Sequence, residues 1–392
     1  MRLKDKRYYN GVAERRTTRC CSALALIIAF ATPAFADLTL TPARAMWTLA
    51  LNSHITQPPA YDEANGYFAI DGDRLVAYDL IRGEQQWLVT AKPSSAPVAA
   101  DGFVFFLQDD HITALHTTDG SEAWTTPFAD TVSVAPIALS GWLIVASSDG
   151  KLSAFRAVDG TQIWQRDLRT AAHASPAISG DRVYVPGENG HVIALQIETG
   201  APVWDRRLGG TPNDILALDD RIFVGATDHY MYCLKSADGS IDWLWRVGSE
   251  VTGRPAVDER RVYFVSLDNV LRAADRSHGV QQWIQMLKFR PIAGPLKAGA
   301  TIVVYGLQSP MRTFDLKDGK AGPDLAAPGD LAAPPHVLGG ANQPPALLVV
   351  TRDIAKGDTV TYFARTLDPE VSRFVPLANP VTTVPALAPP QG

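Results

Sequence analysis

Around residues 135–166 the apolar and polar positions follow a short, repeating plan. Residues 142–146 (Trp-Leu-Ile-Val-Ala) are apolar throughout, the pattern of a short strand covered on both faces. Residues 152–156 alternate, as a half-buried strand does, and residues 161–166 form a further strand around Trp164. Residues 135–138 supply a first strand ahead of these three. The breaks fall at Ser140-Gly141, Ser148-Asp149-Gly150 and Asp159-Gly160, all with tight-turn chemistry. No stretch has the length or period of a globular helix. The segment therefore predicts four short antiparallel strands.

The same unit recurs along the chain. Seven of the nine tryptophans, Trp47, Trp87, Trp124, Trp164, Trp204, Trp243 and Trp283, are spaced by 40, 37, 40, 40, 39 and 40 residues. Four residues before each internal Trp stands a glycine: Gly83, Gly120, Gly160, Gly200, Gly239 and Gly279. Gly319 continues the series, with Pro323 in the Trp place. Ten residues before the Trp lies a small residue: Ala77, Ala114, Ala154, Ala194, Cys233 and Ala273, then Thr313. A proline lies further upstream in most units (Pro59, Pro97, Pro136, Pro176, Pro255, Pro295), and Ile215 interrupts that column. Four-stranded units at a period near forty are β-propeller blades.

Seven units end near residues 87, 124, 164, 204, 243, 283 and 323, and an eighth begins at Pro334-Pro335 without a terminal Gly-x-x-x-Trp. Trp47 is its mirror image, a fourth strand with nothing before it. The expectation is an all-β, eight-bladed propeller in which the N-terminal strand completes the last blade and leaves no open edge between the chain ends. Seven blades with residues 335–375 as an extra sheet is the alternative.

The recurring small-x-x-x-x-x-Gly-x-x-x-Trp pattern, as in residues 154–164, resembles the tryptophan-docking motif of the PQQ-type propeller family. The resemblance implies that the indole of one blade stacks near the small residue and peptide of its neighbour. A blade cannot bury its faces alone, so each seam needs a large flat apolar side chain. No Trp-Asp dipeptide ends the units, so the pattern is not that of WD40 blades.

Residues 1–36 read as a cleaved secretory signal: seven Lys or Arg against two acidic residues, an apolar run from Ala23 to Ala31, then Ala34-Phe35-Ala36. Arg15-Arg16 leaves the twin-arginine route open beside the general one. Cys20 and Cys21 precede the apolar run, so neither stands where a lipid acceptor would, and no lipidation is expected. The expected domain spans 37–375, and 376–392 reads as a disordered Pro-rich tail. Without residues 1–36 the chain has 29 basic and 39 acidic residues, a net charge of −10. That balance disfavours nucleic acid and anionic membrane surfaces as partners. Cys233 alone remains of the three cysteines, which excludes a disulfide framework. A periplasmic or otherwise exported monomer is expected.

Catalytic chemistry leaves little trace. The eight histidines are scattered, without metal-ligand spacing, and each reads as a loop or strand-surface residue. No phosphate loop or nucleophile elbow occurs. The many Asp-Gly pairs sit at hairpins and lack the alternating carboxylates of a calcium loop. No cofactor, metal or catalytic residue is expected. One constellation stands out in the segments that join a Trp strand to the next blade and open at the central channel. Neighbouring segments carry Asn213 with Asp214, Glu250 with Arg254, and Lys288 with Arg290, while Arg169 and His173 lie one blade earlier. These residues are the candidates for a polar mouth that contacts a peptide or small polar ligand; mutually paired loop charges are the bland alternative.

Over about 330 residues the chain is similar to the BamB family of outer-membrane assembly factors. The resemblance implies a non-catalytic periplasmic scaffold whose partner is an envelope protein, the outer-membrane barrel-assembly channel. In that family a Leu-x-Leu-Arg loop and a loop with two aspartates make the contact; here the nearest loops are Leu168-Arg169-Thr170 and Gly210 to Asp214, a partial match. The same blade motif occurs in quinoprotein dehydrogenases. Their activity needs calcium, a catalytic aspartate and inter-blade insertions, and the near-constant spacing here leaves no room for insertions. Cys20-Cys21 looks like their adjacent cysteine pair but lies in the signal segment. A glycan-reading or other envelope-binding propeller is the third reading, with Trp142 and Trp245 as spare indoles that the pattern places in the core.

Overall fold

The computed structural model describes residues 38–365, apart from 219, 308, 309, 341 and 342. The expected signal at 1–36 and tail at 376–392 lie outside the described residues. Eight antiparallel sheets follow one another in a ring, seven of them built from consecutive strands. Blade 1 covers residues 60–90, blade 2 98–127, blade 3 137–167, blade 4 177–207, blade 5 212–246, blade 6 251–286 and blade 7 296–325. Blade 8 takes four strands from residues 330–365, with Asp330–Leu331 and His336–Gly340 both pairing with Gln343–Asp353, and its outermost from Ala43–Ala50, which pairs with Gly357–Arg365. The ring is thus an eight-bladed β-propeller closed by the N-terminal strand. Blade 7 has three regular strands, and its outer place holds Pro323 and only the isolated bridges Met311–Leu325 and Phe314–Ala321. Proline cannot donate to the ladder, which is why regular pairing fails there.

The interior is divided among the seams. Eight buried apolar clusters lie one between each pair of neighbouring blades. Each blade is therefore stable only against its neighbours.

The Trp column acts at these seams. A bulge skips the residue just before each Trp: Met46, Gln86, Ala123, Ile163, Val203, Asp242 and Gln282. A bulge re-aims the side chain that follows it. The indole N–H then donates to a carbonyl of the next blade: Trp87 to Thr117 (2.9 Å), Trp124 to Ala157 (2.9 Å), Trp164 to Ile197 (2.6 Å) and Trp204 to Ser236 (2.8 Å). Trp243 to Arg276 and Trp283 to Leu316 follow at 3.1 Å. The face of the indole rests on the next blade's motif glycine. A Cβ on Gly120, Gly200, Gly239, Gly279 or Gly319 would come within 2.6–2.8 Å of the ring. That glycine is thus required twice, by its positive φ and by the indole seated on it.

The small column has a different place from the one the resemblance implies. Ala77, Ala114, Ala154, Ala194, Cys233 and Ala273 each lie directly across the strand pair from the Trp of their own blade. On the far side stand Tyr67, Phe105, Ile144, Tyr184, Phe223 and Tyr263. The small residue lets the aromatic ring and the indole meet over it, with centroids 5.6–5.9 Å apart in five blades. Cys233 is fully buried in this row, and burial pushes its thiol up to about 12.

Blade 8 closes on blade 1 by other means. Tyr362 takes the small position opposite Trp47, and the two rings stack at 5.5 Å and 5°. The Trp47 indole N–H is buried without an acceptor among the described residues, and a Cβ on Gly83 would be 3.5 Å from its ring. Asp358, fully buried, compensates. It accepts from Ile55 N–H at 2.9 Å, Arg352 Nη2 at 3.0 Å and Arg352 Nε at 3.1 Å, with His54 Nδ1 at 3.1 Å. Burial acts to raise its pKa, but the hydrogen bonds from Arg352, Ile55 and His54 outweigh it and hold the carboxyl below its usual range. Nearer the channel, His336 of blade 8 stacks on Tyr61 of blade 1 at 4.1 Å. His336 is half-buried, not a free strand-surface group, and burial lowers its pKa to about 4.

Two predictions follow the seams. Gly200→Ala should cost about 2–5 kcal/mol, because strain at positive φ adds to overpacking against Trp164. Gly102→Ala, at φ +84° with nothing near its Cβ, should cost only about 1–2 kcal/mol. Equal shifts in denaturant midpoint would refute the indole seat. For His336, the folded pKa lies below the unfolded one, so its stabilising contribution is complete above the unfolded value. It is lost as pH falls from 6.5 through about 4. His336→Phe, which keeps the stack, should flatten that part of the stability profile; parallel profiles for the two proteins would exclude the effect.

Candidate functional site

The blades differ most where they meet the channel. In blades 2, 3, 4 and 7 the innermost strand is three residues long and begins just after the column proline. A proline at that point offers no N–H, so the ladder stops. Blade 5 lacks the proline, and its innermost strand extends over Pro212–Leu218. In blade 6 the innermost strand, Val251–Val257, runs through Pro255. Both long strands are bulged. The register jumps between Pro212 and Ile215, and again between Thr252 and Ala256. Asn213 and Asp214 occupy the first bulge; Gly253, Arg254 and Pro255 occupy the second.

These bulges border a cavity of about 400 Å³ over the channel mouth. Its walls come from the starts of five consecutive blades, 3 to 7, and include Val134, His173, Asn213, Asp214, Gly253 and Ile292. Gly253, at φ +67°, crosses so close to the backbone of Gly294 that neither position can carry a Cβ. That contact pins the strand bearing Arg254 against the start of blade 7.

Of the sequence candidates, the structure brings four into one neighbourhood. His173 and Asp214 line the cavity. Arg254 flanks it on the adjacent blade, and its charge acts on Asp214. Glu250 joins through Asn213, whose Nδ2 donates to Glu250 Oε1 at 3.2 Å and to the Val251 carbonyl at 2.6 Å. Arg169, Lys288 and Arg290 are exposed and do not line the cavity. Arg169 sits at φ +58° in the loop after blade 3, where its N–H donates to Asp167 Oδ1 at 2.8 Å. Tyr305 is the residue sequence reasoning missed. It ends an apolar run, which hid it, yet it lies near Asp214. Burial, then the Asp214 charge, push its hydroxyl up to about 12.

Burial raises the pKa of Asp214, and the nearby charges of Arg254 and His173 only partly offset it. Arg254 is exposed as a residue, but desolvation lowers its pKa, against the pull of Asp214. A carboxyl group raised by burial stabilises the fold when protonated. That contribution is lost as pH rises through its folded pKa. Asp214→Asn should therefore be at least as stable as the unsubstituted protein at pH 7. The difference should close as pH falls below the ordinary aspartate value, near 4. A less stable Asp214→Asn variant at pH 7 would show instead that the ionised carboxylate holds the mouth together.

Comparisons with known proteins agree with this architecture. The sequence profile of the family described as outer membrane protein assembly factor BamB matches residues 36–136, 71–218 and 216–329. No curated protein matches the sequence. Among solved structures, BamB from Moraxella catarrhalis is similar with a TM-score of 0.66 and 18% identity, over 82% of this chain and 99% of that one. The quinohemoprotein alcohol dehydrogenase from Comamonas testosteroni gives 0.65 and 12% identity, over 85% and 77% of the two chains. The C-terminal WD40 domain of Sif2 gives 0.66 at 9% identity, over 82% and 98%. At these identities the structures establish the propeller alone, whereas the profile match extends over most of the sequence. The chain belongs to the family of the outer membrane protein assembly factor BamB.

Proposed function

We propose that this protein is a non-catalytic scaffold of the periplasm that binds an envelope protein and assists the assembly of outer-membrane β-barrels. The observation that carries the reading is the contrast between six seams locked by the same indole contact and the bulged inner strands of blades 5 and 6 that border the cavity at the mouth. Rigid blades with short loops present a broad face suited to protein contact, and charged groups at its centre supply selectivity. His173, Asp214, Glu250 and Arg254 form the centre of that face, with Arg169, Lys288 and Arg290 around it.

A dehydrogenase reading has the quinohemoprotein neighbour in its favour. The residues present do not fit a calcium-bound quinone. Among the described residues no three His, Cys, Asp or Glu side chains gather where they could hold a cation. The one carboxylate that lines the cavity feels Arg254, whose charge would repel the metal. For a glycan reader, exposed aromatic platforms would be needed. Trp142 is packed into the seam of blades 3 and 4, and Trp245 stands edge-on to Phe264 at 5.5 Å.

The test is affinity recovery from detergent-solubilised envelopes, with the full chain expressed behind its own leader. The barrel-assembly channel should be recovered. Arg169→Ala and Arg254→Ala should each lower its recovery about tenfold or more, the scale of losing a well-placed interfacial arginine. Absence of the channel, or recovery indifferent to both changes, would exclude the proposal.

A further inference from the structure

Asp214 and Arg254 are opposite charges that influence one another without touching. Neither side chain makes a hydrogen bond or ion pair with any described residue. Elsewhere arginine and aspartate close directly: Arg221 on Asp242 at 3.0 Å, Arg272 on Asp268 at 2.6 Å and Arg352 on Asp358 at 3.0 Å. The open pair stands on the two strand bulges of adjacent blades, one of them pinned by the Gly253–Gly294 crossing. That crossing fixes the backbone that carries Arg254. A partly desolvated carboxylate without a partner is costly unless something fills its coordination.

What would satisfy both groups is a molecule with a cation at one end and an anion at the other. We propose that the channel-mouth cavity binds a small zwitterion of the free amino acid or dipeptide class, its ammonium on Asp214 and its carboxylate on Arg254. His173 lines the same cavity and offers a further polar contact, while Val134, Ala135, Ile292 and Ala293 provide an apolar wall for a side chain. A volume of about 400 Å³ lies within the range of small-molecule sites. This inference rests on the reading of the mouth as the binding face, and names a ligand for its centre.

Isothermal titration of the full chain with four probes tests it: L-alanine, L-alanyl-L-alanine, its N-acetyl derivative and its C-terminal amide. The free dipeptide should bind about tenfold or more tightly than either blocked form, the scale of one charged hydrogen bond. Asp214→Asn should abolish the advantage over the N-acetyl form, and Arg254→Gln the advantage over the amide. Alanine as tight as the dipeptide would identify a free amino acid as the ligand class; a tighter dipeptide would identify a short peptide. Unfolding midpoints of both variants near that of the unsubstituted protein would show that the mouth is intact. No binding by any probe, equal binding of blocked and free forms, or binding untouched by both substitutions overturns the site. Recovery of the envelope partner is scored separately, so loss of the zwitterion site with partner recovery intact refutes this inference alone.

Discussion

The fold depends on one contact repeated around the ring: an indole whose N–H reaches a carbonyl of the next blade while its face rests on that blade's glycine. Each half of the contact constrains a different residue. The hydrogen bond fixes the angle of the indole, and its net worth of about 1 kcal/mol is less important than the cost of leaving that donor buried and unmade. The glycine removes the one atom that would hold the blades apart. Six seams use this arrangement with acceptors three residues before the glycine, from Thr117 to Leu316. Because each seam has its own apolar cluster, the stability of the ring is the sum of neighbour contacts, and the weakest seam limits it.

Two seams lack the full contact: that between blades 7 and 8, where Pro323 stands in the Trp place, and the closure. Trp47 lacks its acceptor because Tyr362 fills the position that is small elsewhere and draws the indole into a face-to-face stack. What the docking contact leaves undone, Asp358 supplies by gathering Arg352, His54 and the Ile55 N–H around a buried carboxylate. This lock is ionic where the other seams are apolar. It joins the segment after the N-terminal strand to the last hairpin, so the chain ends are tied at the place where a ring would otherwise open.

The period of the tryptophans was enough to read the blades and to expect eight of them closed by the N-terminal strand, with seven left as the alternative, because scaffold residues recur in every unit. What escaped was whatever does not recur, or recurs without a residue preference. The bulge before each Trp falls on Met46, Gln86, Ala123, Ile163, Val203, Asp242 and Gln282, seven positions with six residue types and no shared chemistry. The role of the small column was legible as a need for space, but its owner was not: in five blades the space serves the Tyr or Phe of the same blade. At the mouth, the shared column of Asp214 and Arg254 was visible because both precede the proline position. The missing proline at Ile215 was visible as well, but its consequence, a longer and bulged strand, was not. Tyr305 was hidden by its apolar neighbours, since burial and proximity to a charge leave no mark on local sequence.

The same ring occurs in an assembly factor, an alcohol dehydrogenase and a WD40 domain among its structural neighbours, so the fold by itself does not specify a function. Function must reside where this chain departs from its own repeat. It departs in three places: the proline-rich edge of blade 7, the ionic closure of blade 8, and the bulged strands of blades 5 and 6. The first two are explained by geometry, since one blunts an edge and the other joins the chain ends. The third also joins neighbouring blades, through Asn213 on the Val251 carbonyl and Gly253 on Gly294, but those contacts do not account for the open Asp214–Arg254 pair. A shorter inner strand would have closed blades 5 and 6 as it closes blades 2, 3 and 4, without leaving a carboxylate and a guanidinium partly desolvated and apart. Groups held apart from one another in this way are what a binding surface requires, and that is the ground on which the mouth of blades 5 and 6 is proposed as one.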